Sequence, residues 1–463
     1  MTTLEGESPT ASLGRRAGRL LRDRAPIHLE RASWDSRQIA EHQQQALRDL
    51  LSFARTRSRF HAERLKGIHP GTFVLDDLPS LPIMTKPDMM ARLDDVLTDP
   101  RLSRNALDEH LAGLGPEIDL LHDEFFVLST GGSSGHRGVF VYAVEGFCEA
   151  MLSCLRRSLL PGPDSRRHEK VGPPRGAIVA AATSVHATAA MSKVSRAGEL
   201  AEIHVVAATL PLDEIVGRLN ALRPDLLTGY PSVLVRLAAE RSAGRLEISP
   251  RAINGTSELM SPEMALRIEA AFGVSPGNVF GSTEGLFGSA LPGEEAMTFS
   301  SDCCIVELVD EQNRAVPLGT PSAKILITNL YNRVQPLIRY ELSDHMIQAP
   351  PGADSGHLRA TVRGRADSPF RYGSVEVHPL AIRTVLVQAP GILEYQVRQT
   401  RTGVAIALVL EGSPTMDLEA LRARLVESLQ KAGLNQPSVE LQVVDTVRRS
   451  ATTGKAARFI PLR

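Results

Sequence analysis

Aromatic residues are scarce in this chain of 463 residues: 13 Phe, 6 Tyr and one Trp, 4% in all. A surface that stacks the bases of single-stranded nucleic acid needs more of them, so that class of partner is excluded. An excess of either charge is also lacking, with 52 Lys+Arg against 53 Asp+Glu. That balance gives no general electrostatic grip on nucleic acid or on an anionic membrane. Cysteine is limited to Cys148, Cys154 and the adjacent pair Cys303–Cys304. So few do not make a disulfide framework in this length, and a reduced, cytoplasmic setting is expected. The pair alone cannot supply a four-ligand zinc site, so no structural zinc is expected. A long apolar run is missing too. The least polar stretch, GAIVAAATSVHATAAM from Gly176 to Met191, is too short and too interrupted to span a bilayer. The N-terminal MTTLEGESPTASLGRRAGRL has early acids and no apolar h-region, which argues against a secretory leader.

What is present is a large core supply. The chain is 43% hydrophobic and long enough for two or three domains. Residues 1–35 read as weakly ordered, with mixed charge and little periodicity. From Ser36 to Lys66 leucines and alanines recur at helical spacing. In DDLPSLPIMTKPDMM, Thr85 is placed to cap a helix that has Pro87 in its first turn. Strand and helix patterns then alternate: GAIVAAAT, AEIHVVAAT, PLDEIVGRLNAL, PSVLVRLAAERSAG, RAINGTSE, SPEMALRIEAAFG and NVFGSTEG. This alternation argues for a layered α/β sheet. From Cys303 to Met346 the pattern turns to β, with CIVELVDEQNRAVPLG read as a hairpin. A domain boundary is expected near Val362–Pro369. Beyond it lies a small α+β unit, with strands in EYQVRQTRTGVAIALVLEG and VELQVV around the helix DLEALRARLVESLQKAG.

Between the apolar runs of FFVLSTGGSSGHRGVFVY lies a loop of hydroxyls and glycines: Ser129, Thr130, Gly131, Gly132, Ser133, Ser134 and Gly135. Glycines let backbone N–H groups converge on an anion, and hydroxyls add donors. No Gly-Lys-Ser/Thr closes the loop and a strand follows it, so it is neither a Walker loop nor a dinucleotide fingerprint. Taken alone, it reads as a hairpin connection.

Further motifs follow in order: Phe280-Gly281-Ser282-Thr283-Glu284 at a strand end, RYELSD with Asp344, GRAD with Arg365 and Asp367, and Gly454-Lys455 near the C-terminus. In this order and spacing they resemble the adenylate-forming (acyl-/aryl-CoA synthetase) superfamily over nearly the whole chain. LDDLPSLPIMTKPDMM, RPDLLTGYPSVLVRLA, SELMSPEMALRIEAAFG and VQPLIRYELSD are similar to its phenylacetate-CoA ligase and CapK-like branch.

The resemblance implies an adenylation domain over 1–366 and a small mobile domain over 367–463, with Asp367 at the hinge. It implies ATP-dependent activation of a carboxylic acid, aromatic or related, as an acyl-adenylate with release of pyrophosphate. The Ser129–Gly135 loop would hold the β- and γ-phosphates. Phe280, Gly281 and Ser282 belong to the same nucleotide site; Thr283 would bond phosphate, and Glu284 would help hold Mg²⁺. Ser257 and Glu258 match the segment lining adenine, Asp344 the ribose carboxylate, and Arg365 a ribose or phosphate contact. Lys455 matches the lysine brought to the α-phosphate during adenylation. His186 and Tyr230 match the acyl-pocket region. Gly131 stands where the family has a hydroxylated residue, and the segment before Lys455 is longer than usual. The acceptor is CoA, giving a thioester, or an amine or amino acid, giving an amide. A catalytically silent nucleotide-binding homologue is the third reading. A monomer or homodimer is expected, without nucleic-acid or membrane partners.

Overall fold

A computed structural model of the chain describes residues 9–114, 117–130, 138–159, 174–181, 187–198, 202–365, 370–373, 375–377, 380–387, 389, 392–410, 416–449 and 457–462. The N-terminal part is helical: α1 (Pro9–Arg31), α2 (Ser36–Arg57), α3 (Arg59–Arg64), α4 (Lys86–Ala91), α5 (Leu93–Val96) and α6 (Arg104–Gly113). Asp35 caps α2 and Thr85 caps α4, each in a reciprocal capping box with the residue three positions on. Thr85 therefore acts as its sequence context predicts.

The first helix differs from expectation. Residues 9–31 form a regular helix packed on α7 (Val144–Leu159) and α8 (Ala187–Ala197). Its contact face is small rather than broadly apolar: Leu13, Gly14, Ala17, Gly18 and Leu21 are buried. A Cβ on Gly14 would lie 2.2 Å from the Ala197 carbonyl oxygen, so the helices approach as only glycine allows. Polar contacts complete the seat. His28 Nε2 lies 2.8 Å from Glu149, and the Arg156 guanidinium, 3.0 Å from His28 Nδ1, donates to Asp302 at 2.7 and 2.9 Å. The arginine's charge and hydrogen bonds, outweighing burial, hold the Asp302 carboxyl below the usual range. Small residues and buried ions leave no wide hydrophobic stripe, which is why the helix is hard to see in the sequence.

The chain then forms the antiparallel hairpin β1 (Phe125–Thr130) and β2 (Gly138–Ala143), followed by α7. Next come β3 (Arg175–Ala180), α8, β4 (Glu202–Ala207), α9 (Leu212–Leu222), β5 (Leu226–Gly229), α10 (Pro231–Ser242), β6 (Ala252–Thr256), α11 (Pro262–Phe272) and β7 (Gly277–Gly281). Ser261 caps α11, Pro262 starts it, and Gly273 ends it at φ +68. Strands β8 (Phe287–Ala290), β9 (Met297–Phe299), β10 (Cys304–Val309), β11 (Lys324–Asn329), β12 (Tyr340–Leu342), β13 (Asp344–Gln348) and β14 (Arg359–Arg365) follow.

Among the described residues, nine of these strands form one mixed sheet in the order β13-β14-β9-β8-β7-β6-β5-β3-β4. Its β7-to-β4 half is parallel and its β7-to-β13 half antiparallel. The parallel half supports a core around Leu219, Leu227, Leu234 and Ile253. The expected hairpin over Cys304–Gly319 is corrected in one respect. A single bridge joins Val309 to Ala315, but the full partner of β10 is β11. The apolar run KILITN offers six paired residues, against one bridge from the polar return.

A smaller α/β unit closes the chain: β15 (Phe370–Tyr372), β16 (Val375–Val377), α12 (Leu380–Val387), β17 (Ile392–Gln399), β18 (Gly403–Leu410), α13 (Leu418–Lys431), β19 (Ser438–Val443) and β20 (Phe459–Ile460). Its sheet, β19-β18-β17-β20, has its own core around Phe370, Val397, Ile406 and Leu425. Among the described residues no helix is long and apolar enough to cross a membrane.

Candidate active site

The motif Phe280–Glu284 ends β7 and enters a tight turn into β8. Ser282 organises the turn: its N–H donates to Leu286 O at 3.0 Å, and its Oγ accepts from Leu286 N–H at 3.2 Å. Three successive carbonyls of the turn are each strapped by a side chain from a distant element. Thr283 O accepts from Tyr142 Oη at 2.7 Å, Glu284 O from Asn329 Nδ2 at 3.0 Å, and Gly285 O from Tyr331 Oη at 2.8 Å. Burial pushes both phenols well above their ordinary range, so they remain donors. Gly285 has φ +100, and a Cβ there would sit 2.2 Å from Asn329 Nδ2 and 2.4 Å from Tyr331 Oη. The turn is therefore fixed before any ligand arrives. Glu284 is 2% exposed, and its carboxylate has Lys86 Nζ at 4.0 Å.

The hairpin stands beside this turn. Ser129 pairs with Val139 and Thr130 with Gly138, so the loop expected to cradle phosphate connects two registered strands. Gln335 holds the outer edge of β2, accepting from Val141 N–H at 2.9 Å and donating to Val139 O at 3.1 Å. Asn332 Nδ2 adds a bond to Val141 O at 3.0 Å. Because β2 also carries Tyr142, hairpin and turn are one mechanical unit. Gly131, Gly132, Ser133, Ser134 and Gly135 lie outside the described residues, as do His186, Asp367 and Lys455.

A second group lies at the C-terminal ends of β5 and β6. Ser257 has φ +64, a left-handed conformation uncommon outside glycine. Such strain is concentrated at ligand sites. The Glu258 carboxylate accepts from Ser232 N–H at 3.2 Å, capping the first turn of α10. Tyr230, just before that helix, is buried and its Oη accepts from Ala181 N–H at 2.9 Å. Burial raises this phenol to about 12. Its described bond holds the end of β3.

A third group pairs Asp344 with Arg365: the two stand directly opposite across β13 and β14. Asp344 is buried. Arg339, in the same RYELSD motif, plays a structural part. It binds Glu307 at 2.8 and 3.0 Å and the carbonyls of Pro79 and Leu81 at 2.8 and 2.6 Å, fastening the LPSLP segment.

Sequence reasoning missed Lys86, Tyr142, Asn329 and Tyr331. Lys86 stands in the quoted TKPD segment, where only the helix start was read. Among the described residues no three His, Cys, Asp or Glu side chains gather in a metal-binding group. A lone carboxylate such as Glu284 fits Mg²⁺, which keeps waters and takes substrate phosphate oxygens for the rest of its shell. The cysteines offer no thiolate. Burial pushes Cys148 and Cys154 up to about 12, and Cys303 and Cys304 higher.

The sequence matches no protein-family model and no curated protein. The structure is similar to that of a 2-hydroxyisobutyryl-CoA ligase in the postadenylation state with an acyl-AMP bound. The match covers 93% of this chain and 91% of that one, at 18% identity and a TM-score of 0.71. The same ligase in an open conformation, with acyl-AMP and CoA, matches at 0.55, 18% identity, over 92% and 91% of the two chains. An anthranilate CoA ligase in complex with anthranoyl-AMP matches at 0.51 and 18% identity, over 71% of this chain and 64% of that one. The fold is that of these CoA ligases: a large mixed α/β domain and a smaller C-terminal one.

Proposed function

We propose that the chain activates a carboxylic acid with ATP as an acyl-adenylate, releases pyrophosphate, and passes the acyl group to CoA. The observation that carries this reading is the strapped turn, which presents a buried Glu284 beside Lys86 at 4.0 Å next to a hydroxyl- and glycine-rich hairpin. The reaction needs neutralisation of phosphate charge and in-line placement of the carboxylate. The turn supplies fixed groups, and the hairpin loop Ser129–Gly135 supplies N–H and hydroxyl donors to the β- and γ-phosphates. Phe280, Gly281 and Ser282 set the turn, Thr283 donates to phosphate, and Lys86 adds a positive charge. Mg²⁺ bound at Glu284 would neutralise triphosphate oxygens.

Asp344 accepts from the ribose hydroxyls, with Arg365 opposite it. Ser257 and Glu258 line the adenine side, and His186 and Tyr230 belong to the acyl side. Residues 367–463 move about Asp367 to deliver Lys455 to the α-phosphate. Within the superfamily the motifs favour the phenylacetate-CoA ligase and CapK-like branch, acting in the cytoplasm on an aromatic or related acid. The test is acid-dependent pyrophosphate release across a carboxylic-acid library, with Mg²⁺ present and omitted. AMP and pyrophosphate are expected only with an acid and Mg²⁺; ADP and phosphate as products would reject the reading. Turnover of the active acid with CoA, set against a panel of amines, decides the acceptor.

A further inference from the structure

The small unit touches the large one through residues flanking the segment that carries Lys455. Arg449 Nη1 donates to Ser232 Oγ, in the first turn of α10, at 3.1 Å, and its Nη2 pairs with Glu394 on β17. Both charged side chains are largely buried, at 12% and 5% exposure. Ser232 is held from the other side by Glu258, which accepts from its N–H at 3.2 Å. On the far flank, Arg458 Nη2 reaches Met264 Sδ on α11 at 3.0 Å, and its guanidinium lies 5.4 Å from the centre of the Tyr395 ring.

Between these two arginines, one amide ties the flanks together. Gln396 Nε2 donates to Arg448 O at 2.8 Å and to Ala457 O at 2.9 Å. Val397 N–H adds a bond to Arg458 O at 2.7 Å. Four consecutive residues of β17, 394 to 397, thus hold residues 448–449 and 457–458. A buried ion pair adds little net stability, since desolvation offsets its attraction. What such a pair does supply is orientation. Separation of the two units would return Arg449 to water and take a donor from Ser232. The bond from Arg449 to Ser232 therefore belongs to the docked arrangement alone.

We propose that Arg449 is a positioning residue that seats the small domain on the first turn of α10 for adenylation, with Gln396 keeping the two flanks of the Lys455 segment in register. This rests on the adenylation role given to Lys455 above. The link through Ser232 to Glu258 joins docking to the segment that lines the adenine side. Arg449 touches no reacting atom; it acts through where it places Lys455.

The variants are Arg449→Ala, Arg449→Lys, Gln396→Leu and, on the large domain, Ser232→Ala. Three readouts are taken on the full chain: acid-dependent pyrophosphate exchange, transfer from a synthetic acyl-adenylate, and hydrogen-exchange protection of the first turn of α10. A misplacement of about 1 Å costs roughly 10²-fold in rate. Arg449→Ala and Gln396→Leu should therefore lower kcat for exchange by about 10- to 100-fold, with KM for ATP within about twofold. Transfer from the adenylate should stay within about twofold of the parent. Arg449→Lys recovers part of the rate, because one ammonium reaches one partner but not both in the same geometry. Ser232→Ala keeps the Arg449–Glu394 pair and shows a smaller loss. Protection of the α10 turn falls in Arg449→Ala and Ser232→Ala.

Unchanged exchange kinetics and unchanged α10 protection in Arg449→Ala would overturn the proposal, as would equal losses in exchange and transfer. If the parent shows no acid-dependent exchange with any acid, the functional reading fails instead. The α10 protection then still decides whether Arg449 docks the small domain.

Discussion

Asp344 is the residue whose proposed role is simplest to isolate. It is buried at the start of β13, with its backbone in register opposite Arg365. A carboxylate accepting from a ribose diol contributes about 1.5–3 kcal/mol as a charge-assisted bond. Asp344→Ala should therefore weaken ATP binding by roughly 10- to 100-fold while leaving the fold intact. Calorimetric titration of the folded variant checks this, and an unchanged affinity would remove Asp344 from the nucleotide site. Glu284 is a different case. Its backbone is strapped by Asn329 and its carboxylate is buried beside Lys86. Substitution there disturbs charge rather than shape. The cysteines contribute nothing to the chemistry at this scale, since burial keeps their thiols protonated.

At the scale of elements, the turn between β7 and β8 is the most constrained feature of the site. Gly285→Ala forces a Cβ into a position 2.2 Å from Asn329 Nδ2 at a φ of +100. The backbone conformation alone costs about 1–3 kcal/mol for a non-glycine residue. Relief requires Asn329 or Tyr331 to let go of the Glu284 and Gly285 carbonyls. The variant should lose that much thermal stability and a larger share of activity, as seen by calorimetric unfolding and pyrophosphate exchange. Equal activity at reduced stability would show that the straps serve folding alone.

The glycine itself is visible in the sequence, within FGSTEG, and so are the Thr85 cap, the Ser261–Pro262 start of α11 and the Gly273 stop. Those are local signals, decided within four residues. The straps are not local. Tyr142 reaches Thr283 across 141 positions, and Asn329 and Tyr331 reach back 45 and 46. No periodicity marks a side chain that bonds a distant carbonyl. For the same reason α1 was unreadable: its seat is made of small residues and of ions whose partners lie more than a hundred residues away.

For the molecule as a whole, stability has a legible acid limit. His61, on α3, is buried; its Nε2–H donates to Pro336 O at 2.9 Å and its Nδ1 accepts from Arg64 at 3.2 Å. Burial, with the Arg64 charge adding to it, lowers its pKa from 6.5 to about 3. The unfolded chain therefore binds a proton below pH 6.5 that the folded chain refuses down to about pH 3. This contribution is fully present above 6.5 and is lost as pH falls through that window, at up to about 1.4 kcal/mol per pH unit. His61→Gln keeps a donor and removes the proton. Its urea midpoint should fall less steeply than the parent's between pH 6.5 and 4.5. Parallel slopes would show that His61 titrates normally in the fold.

The two-domain arrangement makes the remaining demand on the whole molecule. If residues 367–463 deliver Lys455 only for adenylation, the two half-reactions must separate in a variant that lacks the ammonium. In that proposed role the lysine would stabilise charge developing on the α-phosphate, and its loss would lower kcat rather than ATP affinity. Loss of such a contact costs about 10²–10³ in rate. Lys455→Ala should therefore bind ATP nearly as the parent does and form adenylate about 10²–10³ more slowly. On the same proposal, a synthetic acyl-adenylate should still pass to the acceptor at close to the parental rate, because the lysine would serve adenylation alone. Rapid-quench measurement of each half-reaction separates these cases. An adenylation rate within a few-fold of the parent's would show RRSATTGKAAR to be a solvated basic segment, and the delivery of a lysine by domain closure would lose its basis.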